Sequence, residues 1–228
     1  MDAKIRLSVS RCARHDRIAL LPALLILVSP VCWSQRYFAG ALGGISALSA
    51  DAVTRLDSAN AVSLYKPENG PALNLAGGIH LNDWFSLQGN YLWNRNDVTI
   101  TEVAGLKSLE QDRHSSQHAA IADLLLYFRS RRSHIRPYLS VGSGFVLLRS
   151  SAAGPFRGTL RPAPPQIDTI KLPLRVAVGI DILSRRGWGF RYSFSETMTG
   201  NPFSAKLDPH GSRRLANFQN LLGFVKYF

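Results

Sequence analysis

His114 and Ser116 have the best claim to chemistry in this chain. Two apart on an extended strand, they leave the same face, and imidazole beside hydroxyl is the pairing that activates a nucleophile. Such a pair needs a carboxylate to orient the imidazole, and Glu110 or Glu196 could reach it only through long-range folding. The run His114-Ser115-Ser116 also ends a polar stretch, 97–116, that reads as a loop. The expectation is therefore solvated loop residues and no enzyme. Metal chemistry finds no better footing. Among His80, His114, His118, His134 and His210 only the second and third are closely spaced, and four strand positions separate them by roughly 13 Å. Neither a phosphate-cradling Gly loop nor a Cys-containing metal motif is present, so no cofactor and no metal is expected.

The elements that must position these residues are strands. After the first 35 residues the chain divides into about eight segments of period-two alternation, each near the ~9–11 residues a tilted strand needs to cross a membrane. In the sixth, Leu172, Leu174, Val176, Val178, Ile180 and Ile182 alternate with Lys171, Arg175, Ala177, Gly179 and Asp181. The seventh sets Trp188, Phe190, Tyr192 and Phe194 against Gly189, Arg191, Ser193 and Ser195. The segment around 37–48 is rich in Gly and Ala and ambiguous in register. One face of each segment suits hydrocarbon and the other does not. Closing such strands into a ring pairs every backbone N–H and C=O, as lipid demands.

That register turns Asp123, Arg175, Asp181 and Arg191 inward, where they are expected to form a structural ion-pair network, with Asp181 and Arg191 diagonal across adjacent strands. Trp84, Trp93, Trp188, Tyr192 and Tyr227 fall near strand ends and are expected at the membrane interface. Connections alternate long (49–70, 97–116, 150–170, 199–215) and short (82–84, 130–135, 184–187), the loop asymmetry of a transmembrane barrel. Eight strands leave an interior just wide enough for side chains, so transport is not expected.

Residues 1–34 read as a cleavable secretory signal: five basic residues from Lys4 to Arg17, an apolar stretch from Ile18 to Val31, then Cys32 and Ser34 as small residues before the cut. The barrel then occupies 35–228. The leader carries five Lys/Arg and two Asp/Glu, so the net charge of +12 falls to +9 without it. This charge is scattered rather than clustered with aromatics, which argues against nucleic acid as a partner. Both cysteines, Cys12 and Cys32, lie in the leader, so no disulfide is expected in the mature chain.

The chain ends inside a strand on an aromatic residue, and Leu222, Phe224 and Phe228 resemble the closing strand that the barrel-assembly machinery reads in bacterial outer-membrane proteins; Lys226 departs from that pattern. Leader, alternation, loop asymmetry and terminal Phe together resemble the small OmpA/OmpX-like outer-membrane barrels. The resemblance implies an all-β, eight-stranded, antiparallel up-and-down barrel in the bacterial outer membrane. Its partners would be outer-membrane lipid and the assembly machinery, with a monomer expected, no nucleic acid, and a structural or surface-interaction role whose ligand the loops do not name. Two alternatives remain. One is a lipid-modifying enzyme; outer-membrane lipid A deacylases also pair His and Ser two apart, but near the C-terminus and with an Asn following, where this chain has Gln117. The other is a soluble periplasmic lipocalin-like barrel, with the large residues of segments six and seven turned inward.

Overall fold

The computed structural model describes residues 36–49, 53–56, 61–155, 157–159, 166–184, 186–202 and 214–228. Residues 1–34, where a signal sequence is expected, and Arg185 and His210 lie outside the described residues. The strands, in chain order, are β1 (Tyr37–Leu48), β2 (Val53–Leu56), β3 (Ala61–Pro67), β4 (Gly70–His80), β5 (Phe85–Ala104), β6 (Lys107–Tyr127), β7 (Ile135–Ala152), β8 (Arg157–Gly158), β9 (Gln166–Lys171), β10 (Leu174–Leu183), β11 (Trp188–Gly200) and β12 (Arg214–Tyr227).

Eight of them, β1, β4, β5, β6, β7, β10, β11 and β12, pair antiparallel in that order, and β12 returns to β1 to close the ring. Closure brings both ends of the barrel to one rim, where Tyr37 and Phe228 exchange backbone hydrogen bonds. The short turns lie at this same rim. In the first, the Asn82 side-chain carbonyl accepts from the backbone N–H of Trp84 and of Phe85, an Asx turn that accounts for the Asn-Asp-Trp tripeptide.

Polar inward and apolar outward positions alternate as the sequence suggests. Leu174, Val178, Phe190 and Phe194 are 37–49% exposed on the outer wall, while Arg175, Asp181 and Arg191 are at most 2% exposed inside. The lipocalin-like alternative fails on this point, because a soluble barrel would hold those large residues in its cavity. The narrow lumen also needs small residues. A side chain at Gly179 would run into the Tyr138 ring and the Tyr192 backbone carbonyl, so glycine is what admits the tyrosine there.

The stretch 97–116 is not a loop. Strands β5 and β6 run 20 and 21 residues and are joined by a two-residue turn, Gly105-Leu106, with Gly105 at a φ of 62° that suits glycine. Alternation simply changes sense there: Val98, Ile100 and Leu109 are buried, and their polar neighbours point out. The segment looked polar because its apolar residues face inward in water instead of outward in lipid. Much of 61–67 and 166–171, also placed in loops, forms β3 on the edge of β5 and β9 on the edge of β7.

Candidate functional site

Two groups of side chains could carry function: the barrel interior and a cleft on its outer wall. In the interior, Asp181 and Arg191 face one another directly across β10 and β11 rather than diagonally. The ladder ends at Leu183 opposite Gly189, and the pair is symmetric about the turn: Asp181 precedes Leu183 by two and Arg191 follows Gly189 by two. Arg191 Nε donates to Asp181 Oδ1 at 2.6 Å and Nη2 to Oδ2 at 2.7 Å, a two-point guanidinium–carboxylate pair. The hydroxyls of Tyr127 (3.1 Å) and Tyr227 (2.5 Å) also donate to Asp181 Oδ2. The second pair joins Arg175 to Asp123.

The two pairs are linked by amides. Arg191 Nη1 donates to Gln88 Oε1 (2.6 Å), Gln88 Nε2 to Asn90 Oδ1 (2.6 Å), and Asn90 Nδ2 to Asp123 Oδ2 (3.0 Å). Gln88, Asn90, Tyr127 and Tyr227 were missed as network members. Their signal was their inward position in the alternation, opposite Leu87, Tyr91, Leu126 and Phe228. A third buried arginine, Arg136, lies 3.8 Å over the Tyr127 ring. Above these, an amide layer of Asn94, Asn96, Asn217 and Gln117 bonds across the lumen. An apolar plug including Leu48, Val98, Ile100, Leu148 and Leu215 fills the far end. The four expected residues thus form two ion pairs inside the barrel, each charge matched by an opposite one.

Tyr227 is not an interface aromatic. It is 4% exposed, because Phe228, Lys226, Phe224 and Leu222 take the outward phase of β12 and leave the odd positions inside. Trp84, Trp188 and Tyr192 do stand on the outer wall, and Trp93 is half-buried there. Leu222, Phe224 and Phe228 are 51–63% exposed to the outside. Lys226, which breaks the terminal pattern, projects outward with its ammonium 5.2 Å from the Trp188 ring.

Register across β5, β6, β7 and β9 builds the outer cleft in rows. Trp93, His118, Leu147 and Ile170 form one row. The next row away from the short-turn rim is Arg95, Ser116, Arg149 and Asp168, and the one beyond it Asp97, His114, Ser151 and Gln166. Trp93, Arg95, His114, Ser116, Arg149 and Asp168 from these rows line a cleft of about 440 Å³. Asp97 Oδ1 lies 2.6 Å from His114 Nδ1. Thus the carboxylate that meets His114 is neither Glu110, nearer the hairpin tip, nor Glu196, on β11, but a cross-strand partner visible only once β5 and β6 are in register. Ser116 lines the same cleft, yet no hydrogen bond joins it to His114 among the described residues, and the His114 and Asp97 side chains are 44% and 52% exposed.

A closed antiparallel ring of eight strands, apolar outside and hydrogen-bonded through a polar lumen inside, is a transmembrane β-barrel. The chain matches the family described as outer membrane protein beta-barrel domain over residues 21–214, and it belongs to that family, whose place is the bacterial outer membrane. Its fold is similar to that of OprG from Pseudomonas aeruginosa, with a TM-score of 0.53 at 13% identity, covering 85% of this chain and 96% of that one. Neisserial surface protein A aligns with a TM-score of 0.46 at 14% identity (86% and 98% covered), and Ail of Yersinia pestis with 0.45 at 14% (85% and 99%). No curated protein matches it in sequence.

Proposed function

We propose that this protein is a non-conducting, non-catalytic surface barrel that anchors a rigid β-extension outside the cell, where it serves a structural or ligand-presenting role. The observation that carries this reading is the pairing of a lumen crossed by hydrogen-bonded side chains with strands β5 and β6 of 20 and 21 residues, about twice the ~9–11 that a crossing needs. The β5–β6 hairpin, flanked by β3 on β5 and by β8 on β6, projects a sheet whose inner face carries Val98, Ile100 and Leu109. Pre-ordered strands lose less entropy on binding than a flexible loop would. Leu222, Phe224 and Phe228 supply the assembly signal, and the chain acts as a monomer.

Since both cysteines lie in the leader, Leu106→Cys at the fully exposed hairpin tip gives a single thiol. A membrane-impermeant maleimide should label it on intact cells and label Arg132→Cys, in a short turn, only after permeabilisation. Purified protein in planar bilayers should show no stepwise conductance; discrete channels, or the reverse labelling pattern, would sink the proposal.

The Asp97–His114 bond favours one second reading, a lipid hydrolase in which Ser116 attacks an acyl ester. Its requirement is plain: release of fatty acid from lipid A by the purified protein, abolished by Ser116→Ala.

A further inference from the structure

The rows of the outer cleft record where lipid ends. On β5 the outward series Phe85, Leu87, Tyr91, Trp93 turns to Arg95 and Asp97; on β7 the outward series Leu139, Val141, Phe145, Leu147 turns to Arg149 and Ser151; on β9 Ile170 gives way to Asp168. Because Trp93, Leu147 and Ile170 are level in the ladder, the change occurs at one height on three strands. At that height Tyr91 and His118 join at 2.8 Å, an amphipathic pair suited to the interface.

We propose that the cleft above this boundary binds the phosphorylated headgroup of an outer-leaflet lipid. Arg95 and Arg149 stand on either side of Ser116 in one row, and with strands spaced about 4.8 Å their Cα atoms are roughly 10 Å apart. Two guanidinium forks at that spacing can converge on a tetrahedral dianion, with the Ser116 hydroxyl between them as a third donor. The nearby carboxylates have other partners: Asp97 lies against His114, and Asp168 accepts from Gln166 Nε2 at 2.7 Å, with Arg149 Nε farther off at 3.9 Å. Arg95 has no ion-pair partner among the described residues. The cavity of about 440 Å³ has room for a sugar as well as its phosphate. Directly beneath, Trp93, Leu147 and Ile170 offer the acyl chains an apolar wall, so the two chemistries of an amphiphile meet the protein in the right order. The filled lumen takes no part, and this site stands whether or not the hairpin tip presents a further ligand.

The test uses the purified full-length barrel in phosphatidylcholine nanodiscs doped with diphosphorylated lipid A, quantifying lipid A that survives detergent extraction and repurification. Wild type should retain about tenfold more than the Arg95→Ala/Arg149→Ala variant, with Arg132→Ala equal to wild type. Heat-modifiability on gels confirms that each variant is folded. Lipid A stripped of its phosphates should be retained no better than by the double variant. Inorganic phosphate alone should leave retention unchanged at concentrations equal to the lipid. Equal retention by wild type and the double variant, indifference to lipid phosphorylation, or displacement by equimolar inorganic phosphate would each overturn the proposal. Fatty-acid release that depends on Ser116 would also overturn it, in favour of hydrolysis.

Discussion

Asp181→Ala is expected to destabilise the detergent-solubilised barrel by about 3–5 kcal/mol, because it strands the Arg191 guanidinium in a sealed lumen. Asp181 takes two hydrogen bonds from Arg191 and one each from Tyr127 and Tyr227, and Arg191 itself is 1% exposed. Urea titration read by the shift between folded and boiled forms on a gel measures the loss. A second substitution separates the cost of an unpaired charge from the worth of the pair. With Arg191→Met added, the ion disappears with its counterion, and most of the stability should return. Tyr227→Phe removes one donor while Arg191 remains, so about 1 kcal/mol is expected. An Asp181→Ala midpoint equal to wild type would mean that the interior pair contributes nothing to holding the barrel together.

Val178→Arg should be nearly as damaging for the opposite reason. Val178 lies midway along β10 between Leu139 and Phe194, 49% exposed on the wall. In water, an exposed valine replaced by arginine changes little. At the centre of a bilayer the same change costs about 2–4 kcal/mol, since the guanidinium must sit in hydrocarbon or drag headgroups inward. The unfolding free energy in phospholipid vesicles reads the effect directly. As a control, Ser151→Arg lies on the polar side of the boundary and should cost under ~1 kcal/mol. Equal effects at the two positions would contradict a hydrocarbon belt at β10.

Much of this protein is legible in its order of residues. Period-two alternation in 172–182 and 188–195 assigned each side chain to a face, and the structure agrees at Arg175, Asp181 and Arg191 inside and at Phe190 and Phe194 outside. The reason is local: on a strand, parity alone decides the face. Alternation failed in two informative places. At 97–116 the solvent outside the strand changes from lipid to water, so the apolar face inverts and the segment imitated a loop. At Tyr227 composition outweighed parity, because an aromatic near the chain end suggested the girdle although its odd number placed it with Val225 in the lumen.

What the linear chain determined, then, was a membrane barrel and the side on which nearly every residue stands, since those follow from neighbours one and two positions away. Which residues meet was decided by the ring. Asp181 found Arg191, Asn90 found Asp123, and Asp97 found His114 because hydrogen-bonded ladders set the register between neighbouring strands. The Arg95–Ser116–Arg149 row is the plainest instance: three residues that share no motif in the sequence become neighbours only when three strands are aligned at the edge of the lipid.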